Sequence, residues 1–220
     1  MIFNSELGNS LHSAWTKSPL QVLSYVSCHD DLCLVDRLRA VAPDISEEEL
    51  VRLSLLAHTA IFTAQGTPFL FAGEELLREK RGVRNSYRSV DTVNAIDWRN
   101  KALHFDVFTY LRRLIALRKA HPAFRMARAS QVVKNMKFLK VDDHCAVAFT
   151  LNGKAVGDSW ERILVVLNAE RKVLNVAVPR GDYTVVCRDG RVNVQNREHD
   201  VCEAFNVAPQ SALIAWSCEK

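Results

Sequence analysis

The hydrophobic period of this chain changes near Pro122, and no fold built from one kind of repeating unit accommodates the change. Beyond Ala123 the apolar residues alternate. Cys145–Leu151 (CAVAFTL) runs into Asn152-Gly153, and Tyr183–Arg188 (YTVVCR) into Asp189-Gly190, both dipeptides suited to two-residue hairpin turns. Ile163–Leu167, Leu174–Val178 and Ala212–Trp216 add three more short β runs. Residues 124–220 therefore read as an antiparallel β-sandwich of ordinary domain size. The boundary falls within Pro122–Arg128, which leaves residues 1–123 as a separate unit.

That first unit has a strand–helix–strand–helix pattern. Val22, Leu23, Tyr25 and Val26 read as a buried strand ending in Cys28-His29-Asp30. Ser46 and Glu49 have the spacing of a capping box. Leu50, Leu53, Ala57 and Ile61 follow at helical spacing, widened by Val51, Leu55 and Phe62, and Gly66 suits the C′ position. Pro68–Ala72 is a second short apolar strand running into Gly73-Glu74-Glu75, and the connection is long enough for parallel pairing. After a polar loop from Glu79 to Lys101, a helix is marked by Val107, Phe108, Leu111, Leu114 and Ile115 and stopped by Pro122. Two βα units in succession fit a (β/α)₈ barrel, where catalytic groups sit at the carboxyl ends of strands. His29-Asp30 is thus a candidate site, with a capping Asp beside a structural His as the plainer reading.

Composition narrows the function classes. Apolar residues make up 48% and charged residues 25%, as in ordinary globular proteins. The net charge of +4 is spread over the chain without a basic stripe, which sets nucleic-acid binding aside. No apolar run is long enough to span a membrane. The opening MIFNSELGNSLHSAW is too polar for a signal peptide, which makes the cytoplasm the default, with secreted or periplasmic location open if a leader lies upstream. The six cysteines show no C-x₂-C spacing and read mostly as small buried hydrophobes.

Three blocks carry a family likeness. Tyr25–Leu38 (YVSCHDDLCLVDRL) resembles the fourth conserved region of type I pullulanases, in the alpha-amylase superfamily. Gln65–Glu75 (QGTPFLFAGEE) resembles their strand-eight region, and Asn85–Trp98 (NSYRSVDTVNAIDW) the substrate-lining loop that follows it. The blocks keep the family's order and spacing from about Lys17 onward. The resemblance implies a retaining glycoside hydrolase that cleaves α-1,6 branch points of pullulan, glycogen or starch with a nucleophilic Asp, an acid/base Glu and a stabilising carboxylate. It implies that Asp30 is the transition-state stabiliser and that His29 hydrogen-bonds the same sugar. It further implies glucan contact by Asn85, Tyr87 and Asp91, packing of Asp97 and Trp98 at the loop's end, and a structural role for Glu75 with Glu74 of little consequence. Asp31 stands where the family usually has Asn, and Val90 where it usually has Pro.

The fold implied is α/β plus β: the last two βα units of a (β/α)₈ TIM barrel, strands seven and eight with their helices, followed by the C-terminal antiparallel β-sandwich. A whole barrel takes about 250 residues. The nucleophile and acid/base match nothing in this chain, so a truncated reading frame, inactive alone, is expected. Its partners would be an α-glucan and the missing upstream barrel segment, with no nucleic acid and no membrane. No cofactor and no metal site are implied. Residues Ile2–Trp15 match nothing. A non-catalytic glucan-binding module and an unrelated structural or interaction protein are the competing classes. Cut from a barrel, the first 120 or so residues would self-associate, while those from about 124 would fold better alone.

Overall fold

The computed structural model describes residues 16–193 and 198–218, so Met1 and the unmatched stretch Ile2–Trp15 lie outside the described residues. Among the described residues, a 3-10 turn (Pro19–Gln21) precedes strand β1 (Leu23–Ser24), helix α1 (Leu34–Val41), helix α2 (Glu47–Thr63) and strand β2 (Thr67–Pro68). β1 and β2 pair in parallel, Leu23 opposite Thr67 and Ser24 opposite Pro68. The parallel order matches expectation, but the strands are far shorter than Val22–Val26 and Pro68–Ala72. The first is not buried either: Leu23 is 54% and Tyr25 52% exposed. A parallel strand needs cover on both faces, and here each strand has a single neighbour among the described residues.

Ser46 caps α2, its hydroxyl accepting from the Glu49 N–H at 3.2 Å. The reciprocal half of the box does not form. The Glu49 carboxylate instead takes Gln210 Nε2 at 2.6 Å and Arg171 Nη2 at 2.9 Å, tying the helix start to the β part of the chain. Gly66 lies two residues past the cap residue Ala64, one place beyond the expected position. Its φ of +101°, and the Pro19 and Val22 carbonyls 3.1 Å from where a Cβ would stand, leave no room for a side chain.

The polar loop contains two single-turn helices, α3 (Asp91–Asn94) and α4 (Asn100–Leu103), before α5 (Phe105–Ala120). Val107, Leu111 and Leu114 are completely or almost completely buried along one face of α5. Arg118 joins that face to α2. Its guanidinium donates to the carbonyls of Phe62 (2.9 Å), Ala64 (2.6 Å) and Gly66 (2.7 Å), which a helix end leaves without intrahelical partners. Burial, with Arg125 nearby, lowers the Arg118 pKa to about 10.

Helix α6 (Ala129–Asn135) leads into β3 (Met136–Leu139), β4 (Ala146–Asn152), β5 (Arg162–Asn168), β6 (Leu174–Arg188), β7 (Arg191–Val192), β8 (Glu198–Val207) and β9 (Ser211–Ser217). They form one antiparallel sheet in the order β3-β4-β5-β9-β6-β7, with β8 beside β6. The runs Leu174–Val178 and Tyr183–Arg188 are two halves of β6, whose pairing with β8 shifts register between Ala177 and Gly181. The second half also pairs with β9. The first half curls over, so that Leu174, Val176, Phe205 and Val207 pack on Leu164, Val166 and Leu213. The sandwich-like layer is thus a single sheet folded on itself. Asp189 and Gly190, at φ 49° and 69°, make the expected tight turn between Arg188 and Arg191. Asn152-Gly153 does not. Residues 153–161 separate β4 from β5, and Gly153 is required because a Cβ there would lie 2.0 Å from the Trp160 carbonyl oxygen.

The sheet's other face closes the fold. Leu151, Ile163, Val165 and Ile214 share one core with Leu50 and Phe62 of α2, Val107, Leu111 and Leu114 of α5, and Phe124. Along β5, odd-numbered residues face this core and even-numbered ones the folded-over half, which is why the strand reads as continuously apolar. Of the cysteines, only Cys33 and Cys187 are buried, which corrects the expectation that most would be; all are free thiols.

Two outcomes follow from this packing. Residues 124–220 expressed alone would expose Ile163, Val165 and Ile214, so we expect dye binding and aggregation rather than the better folding expected of this part beside a cut barrel. A cooperative, dye-negative monomer in calorimetry and fluorescence would contradict the shared core. In the whole chain, Ile214→Ala should cost about 2–5 kcal/mol by denaturant titration, and α2 and the sheet should unfold in one transition. Burial pushes the Cys33 thiol up to about 11 and that of Cys187 to about 12, so alkylation near pH 8 should label exposed Cys218 well before either.

Candidate functional site

The loop after β1 is held from below by a buried carboxylate. Ser27 donates to Glu74, which also accepts from the Phe71 N–H at 3.2 Å and lies 3.4 Å from His58 Nε2. His58 Nδ1 must donate to the Ser54 carbonyl at 2.7 Å, so the contact with Glu74 carries its proton on Nε2 or on the carboxyl. Glu74 is 3% exposed. Glu75 turns away and accepts only the Gly73 N–H, at 3.0 Å, among the described residues. The structural carboxylate is therefore Glu74, not Glu75. β2 ends at Pro68, and Gly73, at φ +97°, leads into a 3-10 turn at Glu74–Leu76, so strand alternation does not apply there.

Above this anchor, the loop presents its polar residues to solvent. His29 Nε2 and Asp30 Oδ1 are 3.3 Å apart, and both side chains are 81% exposed. Asp31 adopts φ 58°, a conformation that Asp and Asn tolerate better than most residues. Its carboxylate takes Arg37 Nη2 at 3.1 Å and Arg84 Nη1 at 3.0 Å. The Leu32 N–H, then Arg84 and Arg37, hold it below the usual carboxylate range. On the other side, Lys80 Nζ donates to the His29 carbonyl at 2.9 Å.

A cleft of about 610 Å³ opens here, and four of the expected residues line it: His29, Asp30, Asn85 and Tyr87. Phe71, Arg78, Lys80 and Arg84, which the sequence did not single out for this purpose, complete much of its wall together with Asn94, an amide of the type a sugar site uses. Arg78 lies over the Phe71 ring at 4.6 Å and donates to the carbonyls of Ala72 (2.9 Å) and Asn94 (2.5 Å). Asn94 in turn donates to the carbonyls of Ser86 and Ser89, which folds the loop on itself. Asp91 opens α3, is exposed and does not line the cleft. Trp98 is 68% exposed and Asp97 pairs with its neighbour Arg99 at 2.6 Å, so the loop's end is not packed down as expected.

Among the described residues, two groups bring three metal-binding atoms within 4.8 Å of one another: Cys28, His29 and Asp30 in the cleft loop, and Asp143, Cys145 and Glu170 in the β part of the chain. Each is partly exposed and offers three ligands, where closed structural zinc sites use four.

Residues 132–191 match the family described as the pullulanase all-beta domain. Pullulanase from Bacillus subtilis (strain 168) is 34% identical over 170 residues, covering 77% of this chain and 24% of that protein. The chain is a homologue of the C-terminal portion of pullulanases. Isoamylase from a Flavobacterium species is 30% identical over 138 residues, covering 54% of the chain and 18% of that protein. The solved pullulanase from Bacillus acidopullulyticus superposes with a TM-score of 0.87 at 37% identity, covering 91% of this chain and 25% of that one. A pullulanase from Anoxybacillus sp. LM18-11, complexed with maltotetraose, gives 0.83 at 32% identity, covering 92% and 29%. The chain thus spans about a quarter or less of the curated relatives named here. The pullulanase likeness extends across both the helical part and the sheet, as the shared core requires.

The Glu74 anchor makes a direct prediction. Glu74→Ala leaves Ser27, His58 and the Phe71 N–H without their acceptor, and a buried polar group so orphaned costs about 1–3 kcal/mol. The thermal midpoint should fall clearly, whereas Glu75→Gln should shift it little. Equal, small shifts would show that the buried contact carries no stability.

Proposed function

We propose that this chain is the C-terminal part of a pullulanase-type glycoside hydrolase that cleaves α-1,6 branch points of α-glucans with retention. In this reading β1 and β2 are the seventh and eighth strands of a TIM barrel. Residues 1–123 belong to that barrel and residues 124–220 to the all-β domain packed on its helices. The single observation that carries it is the cleft at the carboxyl end of β1, where His29 and Asp30 share one wall system with Asn85 and Tyr87. Pullulanases of similar fold have been solved with maltose and with maltotetraose, which supports a glucan as the ligand here.

The roles follow from charge. Of the two carboxylates lining the cleft, Asp31 is neutralised by two arginines, whereas Asp30 is open to a ligand apart from its contact with His29. Asp30 is then the group that meets positive charge developing on the reacting sugar, and His29 hydrogen-bonds the same ring. Asn85 offers an amide and Tyr87, 73% exposed, an aromatic face; Asp91 would contact glucan only beyond the cleft. A retaining mechanism needs two further carboxyl groups about 5–5.5 Å apart, and the reading assigns both to an upstream segment. The isolated chain would then bind glucan without cutting it. An exposed tyrosine at a preformed cleft equally suits a non-catalytic glucan-binding module, and the coding sequence upstream distinguishes the two.

The test is an intact enzyme made by joining this chain to an upstream barrel segment of a pullulanase. Asp30→Asn should lower kcat by about 10²–10³, as for loss of one preorganised electrostatic group. His29→Ala should raise KM and lower kcat less, since its bond is present in ground and transition states alike. The unjoined chain should release no maltotriose from pullulan. Release abolished by Asp30→Asn in that chain would overturn the assignment of the chemistry to an upstream segment.

A further inference from the structure

We propose that Lys80 is a positioning residue for the His29-Asp30 pair, acting through the His29 carbonyl; this rests on the glucan-site reading above. Lysine is almost never fully buried unless paired, yet Lys80 is 1% exposed. Among the described residues its ammonium makes one hydrogen bond, to the His29 carbonyl oxygen at 2.9 Å.

Holding the loop after β2 does not require that charge. The buried Asp36 carboxylate on α1 already accepts the Lys80 N–H at 2.6 Å and the Gly82 N–H at 2.7 Å. An apolar side chain would fill the same volume without the desolvation that an ammonium incurs. The charged end therefore serves the carbonyl it reaches. That carbonyl belongs to the peptide joining His29 to Asp30, whose side chains have almost no packing of their own. On the far side, Arg37 and Arg84 hold Asp31. The two exposed residues are thus pinned by backbone on one flank and by an ion-paired neighbour on the other. Asp36, Lys80 and the His29 carbonyl form a relay from α1 to the cleft, and only its middle member carries a charge facing the loop.

The experiment compares the whole chain with Lys80→Met by NMR relaxation and by maltotetraose titration. In the parent, His29 and Asp30 should show order parameters of about 0.85, as for rigid backbone. In Lys80→Met they should fall below about 0.6 while α2 and β9 are unchanged. Affinity for maltotetraose should weaken about tenfold as the competent loop population falls by that factor. In a His29→Ala/Asp30→Asn background, the same substitution should weaken it no further. Equal weakening in both backgrounds, mobile His29-Asp30 in the parent, or unchanged order in Lys80→Met would each overturn the inference. Lys80→Gln serves if Lys80→Met does not fold, and failure of both would make Lys80 a stability residue and refute the positioning role. If the parent binds no maltotetraose, the glucan reading fails, and the order parameters alone decide for or against Lys80.

Discussion

Everything in this molecule depends on α2 and α5 covering one face of the antiparallel sheet. Two parallel strands of two residues each cannot hold a fold together, and β1 and β2 contribute almost nothing to the core. They are placed instead by what surrounds them. Arg118 reaches from α5 to the last carbonyls of α2 and on to the Gly66 carbonyl, immediately before β2. Just past the same end of α5, Asp158 accepts from the Ala123 and Trp160 N–H groups and pairs with His121 at 2.7 Å, while His121 stacks on Trp160 at 3.5 Å. Gln65 adds bonds to the Ala123 carbonyl and the Met126 N–H. The sheet therefore orients the helices, and the helices orient the cleft.

Much of this was legible in the chain itself. The change of period at Pro122, the parallel order of the first two strands and the Asp189-Gly190 turn depend on local chemistry, and all are present. The failures have local causes too. Strand β8 shows no apolar run, because only Phe205 and Val207 of its residues are buried while most of the others face solvent. Asn152-Gly153 imitates a hairpin signal, but its glycine answers to the nearby Trp160 carbonyl, a contact invisible to local reading. The two runs assigned to separate strands are one strand, because a register shift lets it bend without stopping.

The cleft was legible in its chemistry and not in its supports. His29, Asp30, Asn85 and Tyr87 were recognisable as residue types, and the fold brings them to one place. Arg78, Lys80 and Arg84 were not, since their contacts run to backbone carbonyls and to Asp31, and those of Lys80 and Arg84 cross long sequence separations. Choosing Glu75 over Glu74 rested on the likeness of Gln65–Glu75 to the strand-eight region, which does not show which of two adjacent carboxylates is buried after the left-handed Gly73. A second cue existed: Ser54 and His58 sit four apart on α2, facing inward among apolar neighbours, and a buried His requires a partner.

The division of labour among the acidic groups explains why one cleft carboxylate is available for a ligand. Asp36 and Glu74 are buried and spend their acceptor capacity on backbone N–H groups and on Ser27 and His58. Asp31 is half-exposed and held by two arginines. Its carboxyl sits below the usual range, so those contacts persist above the unfolded-state pKa and are lost as pH falls through the lower folded-state value. Acid should therefore loosen the Asp31 flank of the loop. Amide signals of His29–Leu32 followed by NMR during acid titration should broaden or shift while those of α5 stay fixed. Loss of α5 signals at the same pH would mean that the loop has no local transition and that the arginine contacts at Asp31 do not act separately from the core.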